Sequence, residues 1–304
     1  MDRNTIYFKQ ALLLVQMLPV VAKESCFALK GGTAINLFVR ELPRLSVDID
    51  LVYLPIEPRN ESLSNMQFSL ERISRDINQL PNINAIRQDN RLEEMRIIVN
   101  SNDAQIKIEV SPVARGTLDS PSIQDVCESV EDQLGFASIQ LVSRADLYGG
   151  KICAALDRQH PRDLFDVKLL LDNQELNRDV FDGFLTYLLS HNRPISELMD
   201  PNWKDISHIF HNEFEGMSFD PITLEELQCI PEKLMIELKS HFTQRDFDFL
   251  MSFKSSEPDW ELAPKESIQH LPAIRWKLNN IHKIPKAKKS QVLKKLKETM
   301  TQWL

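Results

Sequence analysis

Glycine is scarce in this chain: eight residues in 304 with no fixed period, which excludes a collagen-like architecture. Cysteine is scarcer. Cys26, Cys127, Cys153 and Cys229 form no C-x-x-C pair and no Cys/His cluster at zinc spacing, so they read as small buried hydrophobes in a reducing compartment. The amino end, Met1-Asp2-Arg3-Asn4, carries no basic n-region and no cleavage site. The apolar stretch from Ala11 to Val21 contains Gln16 and Pro19 and is too short to span a bilayer. A soluble, cytoplasmic protein with no membrane partner is expected. Internal repeats are missing as well, and the lysine-rich carboxyl end is the only biased tract.

What is present suffices for a core. At 42% hydrophobic and 26% charged, the chain can build one large domain or two modest ones. The net charge of −8 argues against nucleic-acid binding over the whole surface. Charge is unevenly spread, however: from Lys283 to Lys297 there are seven lysines and no acid. Such a stripe suits a phosphate-bearing partner, and it suits a solvated terminal helix equally well.

Periodicity places the elements. Residues 4–24 read as a helix capped by Asn4 or Thr5. Phe27-Ala28-Leu29-Lys30 is a short strand running into Gly31-Gly32, after which Thr33 to Val39 reads as a helix ended before Pro43. From Ser46 to Tyr53 the pattern alternates, with Val47, Ile49 and Leu51 on one face and Ser46, Asp48 and Asp50 on the other. Residues 61–80 are helical. Met95–Asn100 and Gln105–Pro112 form a hairpin across Ser101-Asn102-Asp103, with Lys107 and Glu109 on one face of its second strand. Between Val113 and Phe136 the pattern allows no more than a short strand and loops. Ser143 caps a helix with Asp146 at the capping-box position, Pro161 interrupts, and a further helix runs through Leu171. Beyond about residue 190 the pattern is mostly helical.

Asp48 and Asp50 share a strand face, with Cα atoms roughly 7 Å apart. Two unpaired carboxylates this close repel, and a divalent cation removes that penalty. Mg²⁺ (or Mn²⁺), held by one or two carboxylates plus substrate phosphates, suits the pair. Glu109 supplies a third carboxylate if its strand is a neighbour, and three acids on adjacent strands suit two-metal phosphoryl transfer. Gly31-Gly32-Thr33 before a helix lets backbone approach a phosphate closely, and Thr33 adds a hydroxyl. Each piece alone is common: a D-x-D pair is usually a solvated strand face, and Gly-Gly is usually a turn. Their order, G-G-T followed by R-x-S-x-D-x-D, is far more specific.

The run Leu29-Lys30-Gly31-Gly32-Thr33-Ala34-Ile35-Asn36-Leu37 and, beyond it, Arg44-Leu45-Ser46-Val47-Asp48-Ile49-Asp50-Leu51 resembles the first motif of the AbiEii/AbiGii family. These are nucleotidyltransferase-like toxins of bacterial abortive-infection and type IV toxin–antitoxin systems, related to the MenT toxins. A second block, from Asp146 to Asp166, is similar to the family's K-x-x-A-x-x-x-R and R-D-x-x-D motif, and Ile106-Lys107-Ile108-Glu109 matches the strand between. The resemblance covers residues 25–171. It implies an α+β fold: a polymerase-beta-like nucleotidyltransferase domain with a mixed sheet over 1–190, then a helical domain over 191–304. It implies Asp48 and Asp50 as metal ligands and Ser46 against phosphate or metal-bound water. Lys151 would reach the nucleotide phosphates, Arg158 and Arg162 would neutralise triphosphate or acceptor, and Asp163 or Asp166 would hold Lys151 or act as base.

The implied activity is Mg²⁺-dependent transfer of a nucleoside monophosphate from a nucleoside triphosphate to an acceptor hydroxyl. The implied acceptor is the 3′ end of a tRNA or another RNA, with a cognate antitoxin as a further partner. Two alternatives stay open: modification of a protein side chain, the chain's own serine included, and a nucleotide-binding interaction module without turnover. Taken singly, Lys151 is an ordinary helix-surface lysine and Arg162-Asp163 a capping pair. Arg275 and His282 have the R-x₆-H spacing of certain ribonucleases, and His208 and His211 are three residues apart on a helix. Both patterns are too loose to carry weight, and Trp203, Phe210 and Phe214 read as core.

Overall fold

The structure, a computed structural model, describes residues 5–88 and 95–304. They form two compact units, Met1–Ser143 with Glu215–Pro221, and Arg144–Phe214 with Ile222–Leu304. Among the described residues no helix is long and apolar enough to cross a membrane.

The first unit is a mixed seven-stranded sheet with strands β1 (Phe27–Lys30), β2 (Asp48–Tyr53), β3 (Asn84–Gln88), β4 (Arg96–Asn100), β5 (Gln105–Arg115), β6 (Ser122–Asp125) and β7 (Ser138–Leu141), in the order β3-β4-β5-β2-β1-β7-β6. The pairs β2–β5 and β1–β7 are parallel and the others antiparallel. Helix α1 (Ile6–Val21), capped by the Thr5 hydroxyl, and α3 (Arg59–Ile77) pack on the sheet, and a short helix α4 (Glu128–Leu134) joins β6 to β7. Asn4, the alternative cap, lies outside the described residues. The apolar alternates Ile49, Leu51, Ile106, Ile108 and Val110 are buried, as the period-two pattern requires. The helix after Gly31-Gly32 is one α turn, α2 (Gly31–Ala34), continued as a π-helical turn over Ile35–Val39. Strand β2 starts at Asp48, so Ser46 stands in the loop before it.

Two strands, β3 and β7, lie outside the sequence pattern, and β6 falls where a short strand was allowed between Val113 and Phe136. β6 and β7 have four residues each, too few to show a period, and all four of β6 are exposed. β3 buries only Ala85 and leaves Ile86 exposed.

The compact units part at Ser143, not at the expected boundary near 190. Within the second unit, glycine sets the closest packing. Helix α5 (Arg144–Arg158) and helix α7 (Arg178–Ser190) pack backbone to backbone: a Cβ on Gly183 would stand 2.0 Å from the Ala145 carbonyl oxygen, and one on Gly149 would stand 2.3 Å from the Gly183 carbonyl carbon. The helices of 144–190 also pack on those that follow them, α5 and α7 on Ile195–Met199 and α7 on Pro272–His282. Gly183→Ala is expected to cost about 1–3 kcal/mol or more, since two backbones must separate, and denaturant unfolding of the full chain reads it directly. An unchanged midpoint would mean that the helices sit farther apart than this.

The second unit otherwise follows ordinary rules. Helix α6 (Pro161–Asp172) has Pro at its first position and His160 Nδ1 accepting from the Arg162 N–H. Lys277, buried, donates to the carbonyls of His191, Asn192 and Arg193 just beyond α7, and burial lowers its pKa to about 8. Phe210 and Phe214 pack with Phe165 as core, as expected. Of the cysteines, Cys153 is buried, Cys26 and Cys127 are half-buried, and Cys229 is exposed, contrary to the expectation of burial for all four. Cys229 sits between two short helices at Leu224–Gln228 and Ile230–His241, where Leu227 and Ile230 supply the buried side chains.

Residues 217–219 return to the first unit as a strap. The Leu45 N–H donates to the Met217 carbonyl at 2.8 Å, the Phe219 N–H donates to the Pro43 carbonyl at 2.9 Å, and Arg44 pairs antiparallel with Ser218. The sequence pattern carried no sign of it.

Candidate active site

The antiparallel register between β1 and β2 sets Lys30 opposite Asp50, so the turn that leaves β1 falls beside the acidic strand. Gly31 has φ +76°, a conformation that L side chains rarely adopt, and a Cβ there would stand 2.7 Å from Asp50 Oδ2. Backbone and carboxylate thus meet with nothing between them. On the next residue, a Cβ would stand 2.7 Å from Arg44 Nη2 and 3.3 Å from Ser46 Oγ. The Thr33 hydroxyl lies 2.9 Å from Ser46 Oγ and also against the Asp48 carbonyl, tying the turn to the acidic strand. Gly31, Gly32, Thr33, Ser46, Asp48 and Asp50 are therefore brought together, as their spacing led one to expect.

Glu109 is placed beside them but is engaged. The parallel register sets it opposite Asp50 and sets Lys107 opposite Asp48, all on one face. Its carboxylate is 2.7 Å from Arg96 Nη2 and 2.9 Å from Lys107 Nζ. Burial acts to raise its pKa, but the bonds from Arg96 and Lys107 outweigh burial and hold it below the usual carboxylate value. Lys107 shows the converse. Burial acts to lower its pKa, while Glu109, Asp48 and Asp50 together keep the ammonium above its ordinary value. Among the described residues no three His, Cys, Asp or Glu side chains stand ready to hold a metal ion. Asp48 and Asp50 fit a hard cation that takes one or two carboxylates and completes its shell with phosphate and water; Glu109 fits only by releasing a cation. A cleft of about 310 Å³ opens beside Asp50 and Glu109, lined also by Lys30, Arg96, Gln88 and Met95.

The second motif forms its own cluster in the helical unit. Lys151, 5% exposed, places Nζ 3.0 Å from Asp163 Oδ1 and 2.8 Å from Asp166 Oδ2. Asp163 also takes a two-pronged bond from Arg158, Nε to Oδ2 at 3.1 Å and Nη2 to Oδ1 at 2.9 Å. Burial works against its charge, yet Lys151 and then Arg158 hold its pKa low. Both aspartates therefore clamp Lys151, where the sequence left open which of them did. Arg158, 63% exposed, is the outward cation of the group. Arg162 is half-buried at the start of α6.

The residues that sequence reasoning passed over are Arg44, Arg96 and Lys107. Arg44 stood inside the quoted R-x-S-x-D-x-D run without a role. Arg96 acquires its partner only through strand register. The loose patterns stay without support: His208 meets Asn212, His211 stacks its edge on Phe210, and His282 bonds the Leu278 carbonyl within its own helix.

A glycine turn abutting strand carboxylates in a mixed sheet is the arrangement of a nucleotidyltransferase, and the family match agrees. The model of the AbiEii family, described as nucleotidyl transferase AbiEii toxin of the type IV toxin–antitoxin system, matches residues 12–280, and the chain belongs to that family. Among solved structures it is similar to MenT4, a nucleotidyltransferase toxin from Mycobacterium tuberculosis H37Rv, at 12% identity and a TM-score of 0.62, over 90% of this chain and 93% of that one. That likeness bears on the fold. No curated protein matches the chain in sequence. Membership in a type IV toxin–antitoxin family implies a cognate antitoxin as partner.

Proposed function

We propose that the chain transfers a nucleoside monophosphate from a nucleoside triphosphate to an acceptor hydroxyl, the 3′ end of a tRNA, and acts as a toxin by doing so. The observation that carries this is the direct apposition of Gly31 and Asp50: backbone that admits a phosphate lies against carboxylates that suit its cation. Asp48 and Asp50 would hold Mg²⁺ (or Mn²⁺), which when bound neutralises the triphosphate and polarises the phosphoryl group. Glu109 would join them on release from Lys107 or Arg96. Gly31, Gly32, Thr33 and Ser46 receive the phosphates. By the family motif Lys151, Arg158 and Arg162 would act on nucleotide phosphates, with Asp163 and Asp166 setting Lys151 in place. The acceptor oxygen bonds to the α-phosphorus, the α–β bridging bond breaks, pyrophosphate leaves and the hydroxyl proton passes to water.

The test is incubation with each α-³²P-labelled nucleoside triphosphate, Mg²⁺ and total bacterial RNA. Label in the tRNA band supports the reading. Label in a protein band moves the acceptor to protein, and bound but untransferred nucleotide leaves an interaction module.

The lysines of the terminal helix Lys286–Thr301 and its approach supply a surface for RNA backbone. Lys283, Lys288, Lys295 and Lys297 are exposed, while Lys289 is engaged with Ser256. Reversing those four to Glu is expected to weaken RNA binding and to flatten its salt dependence by roughly one unit of slope per lost phosphate contact. Unchanged affinity and slope would remove the helix from the interface.

A further inference from the structure

We propose that the outer face of the helix Pro272–His282 is a stacking platform, on which an unpaired base of the acceptor RNA lies against Trp276 while Arg275 and Lys283 meet its phosphates. The inference rests on the reading that the acceptor is an RNA.

Three observations carry it. The first is the ring itself. Trp276 is 50% exposed, whereas Trp303 is buried and Trp203 and Trp260 are half-buried. The second is the company it keeps. At about 3.6 residues per turn, Ala273, Ile274, Lys277 and Ile281 turn inward and are buried. Arg275, Trp276, Asn279, His282 and the C-cap Lys283 fall on the opposite stripe, and all five are exposed. The third is charge. From Ser267 to Lys297 the sequence holds one arginine, eight lysines and no acid, in a chain whose net charge is −8. Lys277 is engaged with the carbonyls beyond α7 and Lys289 with Ser256. Among the described residues, none bonds or pairs with the side chain of Arg275 or Lys283.

An apolar side chain standing alone on a surface is ordinary, so the chemistry of its neighbours decides what it is for. An indole half open to water, with free cations on its own stripe, suits a ligand that is flat in one part and anionic in the next. Single-stranded nucleic acid is such a ligand: the base stacks on the ring and the backbone runs along the cations. The apolar core of a protein interface would need further apolar side chains around the ring, and this stripe has none. A duplex keeps its bases in the stack and offers the ring nothing. Since every base has a π-face, the contact tolerates any sequence.

The full-length chain tests this with a short oligouridylate and with its duplex with oligoadenylate. Trp276→Ala is expected to weaken binding of the single strand about five- to a hundredfold, the worth of one base–aromatic stack, and to leave the salt slope unchanged. Trp276→Phe should keep most of the affinity, Trp276→Leu should behave as Trp276→Ala does, and duplex binding should shift in none of them. Intrinsic tryptophan fluorescence should fall as the single strand is added to wild type, and that fall should be lost in Trp276→Phe although the strand still binds. Arg275→Gln combined with Lys283→Gln should flatten the salt slope instead. Wild-type affinity in Trp276→Ala overturns the proposal. So does wild-type affinity in Trp276→Leu, because the contact is then apolar packing and not stacking. A wild-type dimer that becomes a monomer in Trp276→Ala on size exclusion also overturns it, by making the ring a contact between two copies. A wild-type chain that binds neither RNA overturns the acceptor reading as well, whereas RNA binding unaltered by the variants overturns the role of Trp276 alone.

Discussion

Asp48→Ala reduces nucleotidyl transfer by about 10³-fold or more, corresponding to roughly 4 kcal/mol of barrier, while the fold stays intact. The magnitude follows from what the carboxylate does. Asp48 and Asp50 are half-buried on a polar strand face, so removing one leaves the core of Ile49 and Leu51 untouched. Stability changes little, and Lys107 loses one of the three acids that stabilise its charge. The proposed cation site would lose half of its carboxylate set. Label transfer from α-³²P nucleotide at saturating Mg²⁺, with the unfolding midpoint as control, separates the two effects. A variant that retains a tenth of the activity would show that the metal is held elsewhere.

Lys151→Met acts on stability as strongly as on activity. The ammonium lies between two aspartates that are 3% and 0% exposed, and its removal takes a cation from both. Arg158 still serves Asp163. Breaking a buried ion pair from one side costs about 3–5 kcal/mol, which in a unit of this size lowers the unfolding midpoint by roughly 10 °C. Adding Asp166→Asn to Lys151→Met should restore much of that stability without restoring transfer. If Lys151→Met melts with the wild type, the cluster is solvated and its ion pairs are worth little.

Wherever one element carried the information, the site was legible in the sequence. The D-x-D alternation declared a strand with an acidic face, and Gly31-Gly32 declared a turn; their meeting needed only that β1 and β2 pair antiparallel across the helical connection between them. Glu109 was legible as a candidate, since its strand could be read, and so was its neighbour Lys107 on the same face. Its pair with Arg96 was not, because it depends on the register of β4 with β5. The family motif pointed to Lys151 and left its two aspartates equivalent; the three-residue spacing from Asp163 to Asp166 puts both on the face of α6 turned toward α5, and the structure uses both. The close packing of α5 on α7 was hidden for a related reason. Gly149 and Gly183 look like weak points of two helices when read singly, and only together are they a packing surface.

The strap at 217–219 has a consequence in time. The sheet is spelled out by residue 141, yet the loop that carries Arg44 is pinned by a segment lying far downstream, after the chain has already passed through α5, α6 and α7. At roughly 5–20 residues per second on the ribosome, the catalytic face is finished several seconds after the sheet that bears it. A nascent or prematurely ended chain thus owns Asp48, Asp50 and Glu109 without the clasp on the loop that leads into their strand. A toxin arranged in this way reaches its competent form only after most of it has been made.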